Sequence, residues 1–259
     1  MAIFSLNNIY IALTALIGAS IGSFLNVLIF RLPRGFPINL PSHSTCYHCK
    51  RRLEWYENIP VLSYLFLLGR CKTCKHPIGS RTLFVEIFTA LFFVAIFLRY
   101  GFTFSTLYYF VLAAILLAIT FIDLDFRIIP DELSYTGIIF GILGSFFVPT
   151  HGWTVALLGA GLGGGTFWLL GFLYEKIRGQ EGLGFGDVKL LFAIGAFLGP
   201  RGALLTIVLS SFLGSFVGIV VMFIQKKSLK MAIPFGPFLA LGALTFLFWG
   251  DFLKLPFYP

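Results

Sequence analysis

Residues 104–122 read FSTLYYFVLAAILLAITFI, and Asp123 and Asp125 come directly after this run. The run carries no charge and is close to the roughly 20 apolar residues that cross a bilayer as an α-helix. An acid at the edge of the hydrocarbon is costly, so acids in such positions are candidates for a functional site. The stretch predicts a membrane helix with candidate site residues at its end.

The composition extends this prediction to the whole chain. Of the 259 residues, 58% are hydrophobic and 12% are charged, which is more apolar surface than a soluble protein of this length could bury. We therefore predict an all-α, polytopic membrane protein of about eight transmembrane helices. The predicted spans are about 9–30, 82–98, 104–122, 133–148, 153–174, 187–199, 203–224 and 236–252. The first has no basic segment before it and no clear cleavage site, so it is not a simple signal peptide.

The basic residues sort by loop. Sixteen of the 19 Lys and Arg residues fall in alternate loops or at their edges, including a long one over 31–81. This asymmetry predicts that these loops are cytoplasmic and that both termini lie outside. We expect three parts: a first transmembrane helix (1–30), a cytoplasmic loop domain (31–81) and a transmembrane core (82–259). Because the cations form no patch with interleaved aromatic residues, nucleic acid is not an expected partner.

Small residues recur within the spans at four-residue spacing, which lets helix backbones approach closely in lipid. We expect helix packing at these pairs: Gly18/Gly22, Gly137/Gly141, Gly161/Gly165, Gly195/Gly199 and Gly214/Gly218.

All four cysteines lie in the 31–81 loop, as the C-x-x-C pairs Cys46/Cys49 and Cys71/Cys74. Two such pairs separated by about 21 residues favour a structural zinc site of four thiolates. A cytoplasmic location disfavours disulfides. A disulfide or redox pair and a metal-free loop remain alternatives. His43, His48 and His76 flank the pairs and are expected at the surface or around the ligands.

The acids suggest catalysis. Asp123, Asp125 and Asp187 all lie at predicted cytoplasmic ends of spans. Two carboxyl groups brought together share a proton, so one can activate water while the other polarises a carbonyl. Asp123 and Asp125 point to different faces of a helix, so only one should meet Asp187. The alternative is that these acids cap helices or pair with Arg127 and Lys189.

Several motifs in one order resemble the bacterial type IV prepilin peptidases, which are bifunctional leader peptidases and N-methyltransferases. The match covers nearly the whole chain. Besides the cysteine pairs it comprises Gly22-Ser-Phe-Leu-Asn-Val-Leu-Ile-Phe-Arg-Leu-Pro33, Glu57-Asn-Ile-Pro-Val-Leu-Ser-Tyr64, Gly69-Arg-Cys71, Val85-Glu86, the segment from Asp123 to Pro130, Gly184-Phe-Gly-Asp-Val-Lys189 and Pro234-Phe-Gly-Pro-Phe-Leu-Ala240.

The resemblance implies residue roles. The catalytic aspartates would be Asp123 and Asp187, with Asp125 a neighbour. The enzyme would cleave the leaders of prepilins and pseudopilins at the cytoplasmic face of the bacterial inner membrane. It would then methylate the new N-terminal amine with S-adenosylmethionine. Gly69 and Glu86 match positions linked to methyl transfer, although a turn glycine and an interfacial acid are equally compatible with them.

Two other classes compete with this hypothesis. A proton-coupled transporter could use membrane acids as a relay, but no charged pair falls at the middle of a span and no repeat is evident. A zinc-scaffold membrane protein without catalysis would keep the cysteine site alone.

Overall fold

The computed structural model describes residues 2–39, 43–149, 151–179, 184–225 and 234–251. Within these ranges the chain forms α-helices, two short 3-10 helices (Leu32–Arg34 and Trp55–Asn58) and no strand beyond isolated bridges. The α-helices are α1 (Ala2–Arg31), α2 (Leu62–Phe66), α3 (Ser80–Tyr100), α4 (Phe104–Phe126), α5 (Asp131–Ser145), α6 (Trp153–Arg178), α7 (Phe185–Gln225) and α8 (Gly236–Trp249). The predicted all-α class is confirmed.

Each predicted span corresponds to a helical segment, and two of them share α7. Among the described residues, α1, α3, α4, α6 and α7 are long and apolar enough to cross a membrane. The helices α5 and α8 are shorter, with 15 and 14 residues. Many large apolar side chains on the long helices are exposed, for example Leu98 on α3 and Phe212 and Phe223 on α7. Exposed apolar surface of this kind fits a lipid environment.

The helix α7 is broken at Gly199, whose φ of 70° and ψ of −176° are not helical, and Pro200 follows it. A Cβ at Gly163 of α6 would lie 2.7 Å from the carbonyl oxygen of Leu191 and 3.2 Å from Cβ of Ala203. In a straight helix, residues twelve apart would be about 18 Å apart. The chain therefore turns sharply at Gly199, and α7 has two arms, as the sequence predicted.

The chain divides into two compact units, Met1–Thr106 and Leu107–Pro259. In the first unit α1 packs on α3, and in the second α7 packs against α5, α6 and α8. The three parts expected from the sequence, 1–30, 31–81 and 82–259, describe which segments enter the membrane, whereas the two units describe packing. That three-part division stays a prediction.

Glycines allow the closest helix contacts. A Cβ at Gly18 would lie 2.8 Å from Cα of Ala90, and one at Gly22 would lie 2.7 Å from Cα of Glu86, so α1 and α3 touch backbone to backbone as expected. The expected pair Gly161/Gly165 is wrong, because no described atom lies within 4 Å of a Cβ at either position. The glycines of α6 that approach α7 are instead Gly159, Gly163 and Gly164.

Candidate active site and metal centre

Asp123 lies in the last turn of α4 and is 4% exposed. Its Oδ2 accepts a hydrogen bond of 2.8 Å from the backbone N–H of Gly236, the first residue of α8. Asp125, two positions later, is exposed. Residues two apart on a helix face different directions, so burying Asp123 leaves Asp125 outside.

The end of α4 is closed by a left-handed residue. The N–H of Arg127 donates 2.9 Å to the carbonyl oxygen of Asp123, and the φ of Arg127 is 57°. A left-handed residue just after a helix commonly satisfies its last carbonyls in this way. Pro130 is then extended and Asp131 begins α5. The chain thus leaves α4 within one turn after Asp123.

Asp187 lies in the first turn of α7, where glycines open the space around it. A Cβ at Gly184 would lie 2.9 Å from Oδ2 of Asp187. A Cβ at Gly186 would lie 3.0 Å from Cβ of Ile129, in the turn that follows α4. Gly186 therefore lets the start of α7 approach the end of α4, and Gly184 leaves room for the Asp187 carboxylate.

Gly186, the neighbour of Asp187, contacts Ile129 in the turn that follows Asp123, so the two helix ends that carry these acids lie side by side. Two like charges at short range in a partly buried site do not both ionise easily, so such a pair shares a proton. The arrangement can therefore offer one proton acceptor and one proton donor to the same substrate.

Lys189 does not neutralise this pair. Its Nζ lies 2.7 Å and 2.8 Å from the two carboxylate oxygens of Asp131. It also lies 4.9 Å from the ring centroid of Phe185 and 5.2 Å from that of Tyr135. The ion pair joins the start of α7 to the start of α5, beside the aspartates. Sequence reasoning missed this partner and also missed the Gly236 amide. The Pro234-Phe-Gly-Pro237 motif was the available signal for the amide.

The two C-x-x-C segments fold alike. In the first, the N–H of Cys46 donates 3.0 Å to Arg51 O and the N–H of Lys50 donates 2.9 Å to Cys46 O. In the second, the same two bonds run from Cys71 to His76 and from Lys75 to Cys71, at 2.9 Å and 3.0 Å. Lys50 and Lys75 are both left-handed, with φ of 59° and 56°. Each segment is a tight knuckle that turns its two sulfurs inward.

The sulfur geometry fits a tetrahedral metal ion. All four cysteines are free thiols, and their Sγ atoms lie within 4.8 Å of one another. Cys46 Sγ and Cys74 Sγ are 3.8 Å apart. Zinc–sulfur bonds of about 2.3 Å in a tetrahedron separate the sulfurs by about 3.8 Å. The predicted grouping of Cys46, Cys49, Cys71 and Cys74 is confirmed.

The thiols also fit a cation electrostatically. The backbone N–H groups of Cys74 and Thr73 lower the pKa of Cys71 to about 6. Although the N–H of His76 favours the thiolate of Cys74, burial and the neighbouring sulfurs raise the pKa of Cys74 to about 11. Four thiolates at this spacing therefore need a cation among them. His48 and His76 stack on each other, with ring centroids 4.3 Å apart, and lie outside the four-sulfur group.

Gly69 and Glu86 lie in the same unit as the cysteines. Gly69 has a φ of 63°, and a Cβ there would lie 2.7 Å from both Cζ and the hydroxyl oxygen of Tyr64. Glu86 on α3 is 5% exposed and accepts a hydrogen bond of 2.7 Å from the N–H of Val61. Gly69 and Glu86 therefore both contact residues of the cysteine loop.

Comparison with known proteins decides the family. A model described as the bacterial peptidase A24 N-terminal domain matches residues 16–100, and one described as the type IV leader peptidase family matches residues 110–219. A prepilin leader peptidase/N-methyltransferase of Aeromonas hydrophila is 37% identical over 94% of this chain and 92% of its own length. The chain belongs to the type IV leader peptidase family.

Other relatives in this family give the same picture. Proteins of the same description from Pseudomonas putida and Pseudomonas aeruginosa are 36% and 34% identical, each over 93% of this chain and 91% of its own length. No solved structure matches the chain. The gap between the two family models, 101–109, contains the boundary between the two compact units.

Proposed function

We propose that this chain is a membrane-embedded aspartic endopeptidase that removes the leader peptide of type IV prepilins and pseudopilins and N-methylates the new N-terminal residue. The observation that carries the proposal is that Asp123 and Asp187 lie on adjoining helix ends, where α4 ends and α7 begins. The names of the relatives, prepilin leader peptidase/N-methyltransferase, support it.

The peptidase step uses the two aspartates as a pair. The ionised carboxylate removes a proton from water while the water oxygen bonds to the scissile carbonyl carbon. The protonated carboxyl group gives its proton to the carbonyl oxygen. The tetrahedral intermediate then collapses, the carbon–nitrogen bond breaks, and the amine leaves with a proton returned by the pair. The Gly236 amide holds Asp123 in place for these transfers.

The site suits a substrate with an apolar helix and a polar leader, because Asp123 and Asp187 lie at helix ends instead of within the helices. We place this site at the cytoplasmic face of the bacterial inner membrane, with both termini outside. The strong bias of Lys and Arg toward one set of loops supports this orientation.

A zinc ion held by Cys46, Cys49, Cys71 and Cys74 would have a structural role. The loop of about fifty residues is small for an independent core, and a four-thiolate metal ion supplies folding free energy to such a segment. Four protein ligands leave no open position for a reacting group. The proposed zinc therefore shapes the loop and takes no part in either reaction.

The second reaction needs S-adenosylmethionine, whose sulfonium supplies an activated methyl group. When bound, it would supply this methyl group to the new N-terminal amine, which would lose a proton. Gly69 and Glu86 are our candidates for this reaction, and both lie in the N-terminal unit.

One incubation tests both reactions. The purified protein in liposomes is given a prepilin and methyl-labelled S-adenosylmethionine, and mass spectrometry scores the shortened product and the methyl group on its first residue. We expect both. An uncleaved prepilin would contradict the peptidase assignment, and a cleaved but unmethylated product would contradict the second activity.

A further inference from the structure

The N-terminal unit contains a cavity of about 300 Å³ beside the cysteine loop. Its walls come from the second half of α1, the loop over 43–78 and the start of α3. This volume is within the range of pockets that hold small molecules. Asp123 and Asp187 do not line it, so the peptidase reaction does not explain it.

One buried acceptor in the cavity wall has no hydrogen-bond partner among the described residues. Asn26 Nδ2 donates 3.3 Å to Gly22 O and 3.1 Å across to Thr82 O on α3, and so it links α1 to α3. These bonds fix the amide so that Oδ1 is the acceptor, and Oδ1 is buried and unsatisfied. Because buried polar atoms are normally paired, Oδ1 points to a ligand with an N–H or O–H donor.

Two carboxylates line the cavity, and they differ in charge balance. Glu57 is neutralised by Arg51, whose Nη1 and Nη2 lie 2.9 Å and 2.5 Å from its oxygens. In the part of the chain that the structure describes, no Lys or Arg forms an ion pair with Glu86, which accepts only neutral donors. A buried carboxylate without a cation partner favours a cationic ligand.

The remaining walls supply an aromatic surface and a positive charge. Phe30 and Tyr47 have ring centroids 4.1 Å apart, and Tyr64 lies opposite the turn at Gly69. Arg81 is among the lining residues and carries the positive charge. The ligand should therefore carry a cation, a flat ring system with N–H donors, and a carboxylate.

S-adenosylmethionine has all of these groups: a sulfonium, an adenine and an amino-acid carboxylate. Resting on the proposed methyltransferase activity, we propose that this cavity is its binding site, with Glu86 near the sulfonium, Asn26 Oδ1 accepting an N–H and Arg81 near the carboxylate. Gly69 then acts through Tyr64, which lines the cavity, because a side chain at Gly69 would displace the Tyr64 ring. Gly69 and Glu86 thereby belong to one site.

The charge on Glu86 gives the sharpest test, because the two compounds S-adenosylmethionine and S-adenosylhomocysteine differ only at sulfur. The sulfur is a methylated, positively charged sulfonium in the first and a neutral thioether in the second. Calorimetric titration of the purified full-length protein with each compound measures the two Kd values. For Glu86→Gln, which keeps an acceptor for the Val61 N–H, we expect the Kd of the sulfonium to rise about tenfold and that of the thioether to change less than about twofold. Glu175→Gln, a change at an exposed acid on α6, is the matched control and should alter neither Kd.

A purely structural role for Glu86 would weaken both ligands equally, and that result would overturn the assignment. Asn26→Leu should weaken both, since both carry the adenine. Ultraviolet cross-linking of labelled S-adenosylmethionine should place the label within residues 23–86. Label found only in the C-terminal unit would overturn the cavity assignment.

Gly69 is tested through its neighbour. Gly69→Ala should raise the Kd of both compounds. The Kd should rise by a smaller factor when Tyr64→Leu has already removed the clashing ring. Equal factors in the two backgrounds would contradict the role of Tyr64. If the wild-type protein methylates while Glu86→Gln and Asn26→Leu bind normally, the cavity assignment alone fails. If the wild-type protein neither binds nor methylates, the proposed function fails with it.

Discussion

The two units of this chain build their sites in different ways. In Met1–Thr106, two packed helices carry a long loop, and four sulfurs bring distant parts of that loop together beside a polar cavity. In Leu107–Pro259, helix ends and glycines bring carboxylates together. The first site depends on cysteine side chains that cluster within a loop, and the second depends on backbone approach between helices.

This difference assigns different sensitivities to the two proposed reactions. If the four cysteines hold a metal ion, the loop should lose its structure when one cysteine is replaced, while the helix bundle should tolerate that replacement. A pair of acids held by close backbone contact should fail when a side chain is added nearby. Variants in each unit should therefore separate the two reactions.

Replacing an aspartate of the pair should have the largest effect. Asp123→Asn or Asp187→Asn keeps the shape but removes an acid, and we expect leader cleavage to fall about a thousandfold or more. Methylation of a precleaved pilin should continue, because its proposed site lies in the other unit. Asp125→Asn, at an exposed position, is the control and should keep at least part of the cleavage activity. Full cleavage by Asp123→Asn, together with loss in Asp125→Asn, would reverse the assignment.

Loss of one thiolate should disable the N-terminal unit. We expect about one zinc per chain in the wild-type protein and almost none in Cys49→Ser, as measured by elemental analysis. Methylation should fall at least about tenfold, because the loop also forms walls of the cavity. Leader cleavage of a prepilin should fall by a smaller factor. Retention of both zinc and methylation in Cys49→Ser would remove the four-thiolate site.

A single added methyl group should disturb the aspartate site. A Cβ at Gly236 would lie 2.9 Å from Oδ2 of Asp123, so Gly236→Ala must displace the carboxylate or α8. Overpacking of this kind costs about 1–3 kcal/mol, and we expect cleavage to fall roughly ten- to a hundredfold. Gly161→Ala is the matched control within the same unit, since no described atom lies within 4 Å of its Cβ. Equal rates for the two variants would show that close approach at Gly236 is unimportant.

The ion pair of Lys189 and Asp131 should have the smallest effect. The Asp131 side chain is 55% exposed, so the pair is partly screened by solvent. Such pairs contribute about 0.2–1 kcal/mol, and we expect Lys189→Met to slow cleavage about two- to fivefold. Adding Asp131→Asn to Lys189→Met should cause little further loss if the two act as a pair. An additive loss in the double variant would mean that they act separately.

Much of the fold could be read from local sequence. Apolar runs such as 104–122 specify membrane helices because the free energy of transfer into lipid depends on composition over about 20 residues. The break in α7 was also predictable, since Gly199 and Pro200 interrupt an apolar pattern. Packing faces were less predictable, as Gly161 and Gly165 show, because local spacing does not say which side of a helix meets a neighbour.

The sequence by itself determined the membrane class, the helical spans, the four grouped cysteines and the short list of candidate acids. These depend on composition and on spacing within a few turns of chain. Tertiary structure alone decided that Gly236 donates a hydrogen bond to Asp123 across 113 positions and that Lys189 forms an ion pair with Asp131. It also decided that Asn26, Glu86 and Tyr64 line one cavity. Those relations arise from how helices pack, and packing depends on contacts between residues that no local pattern connects.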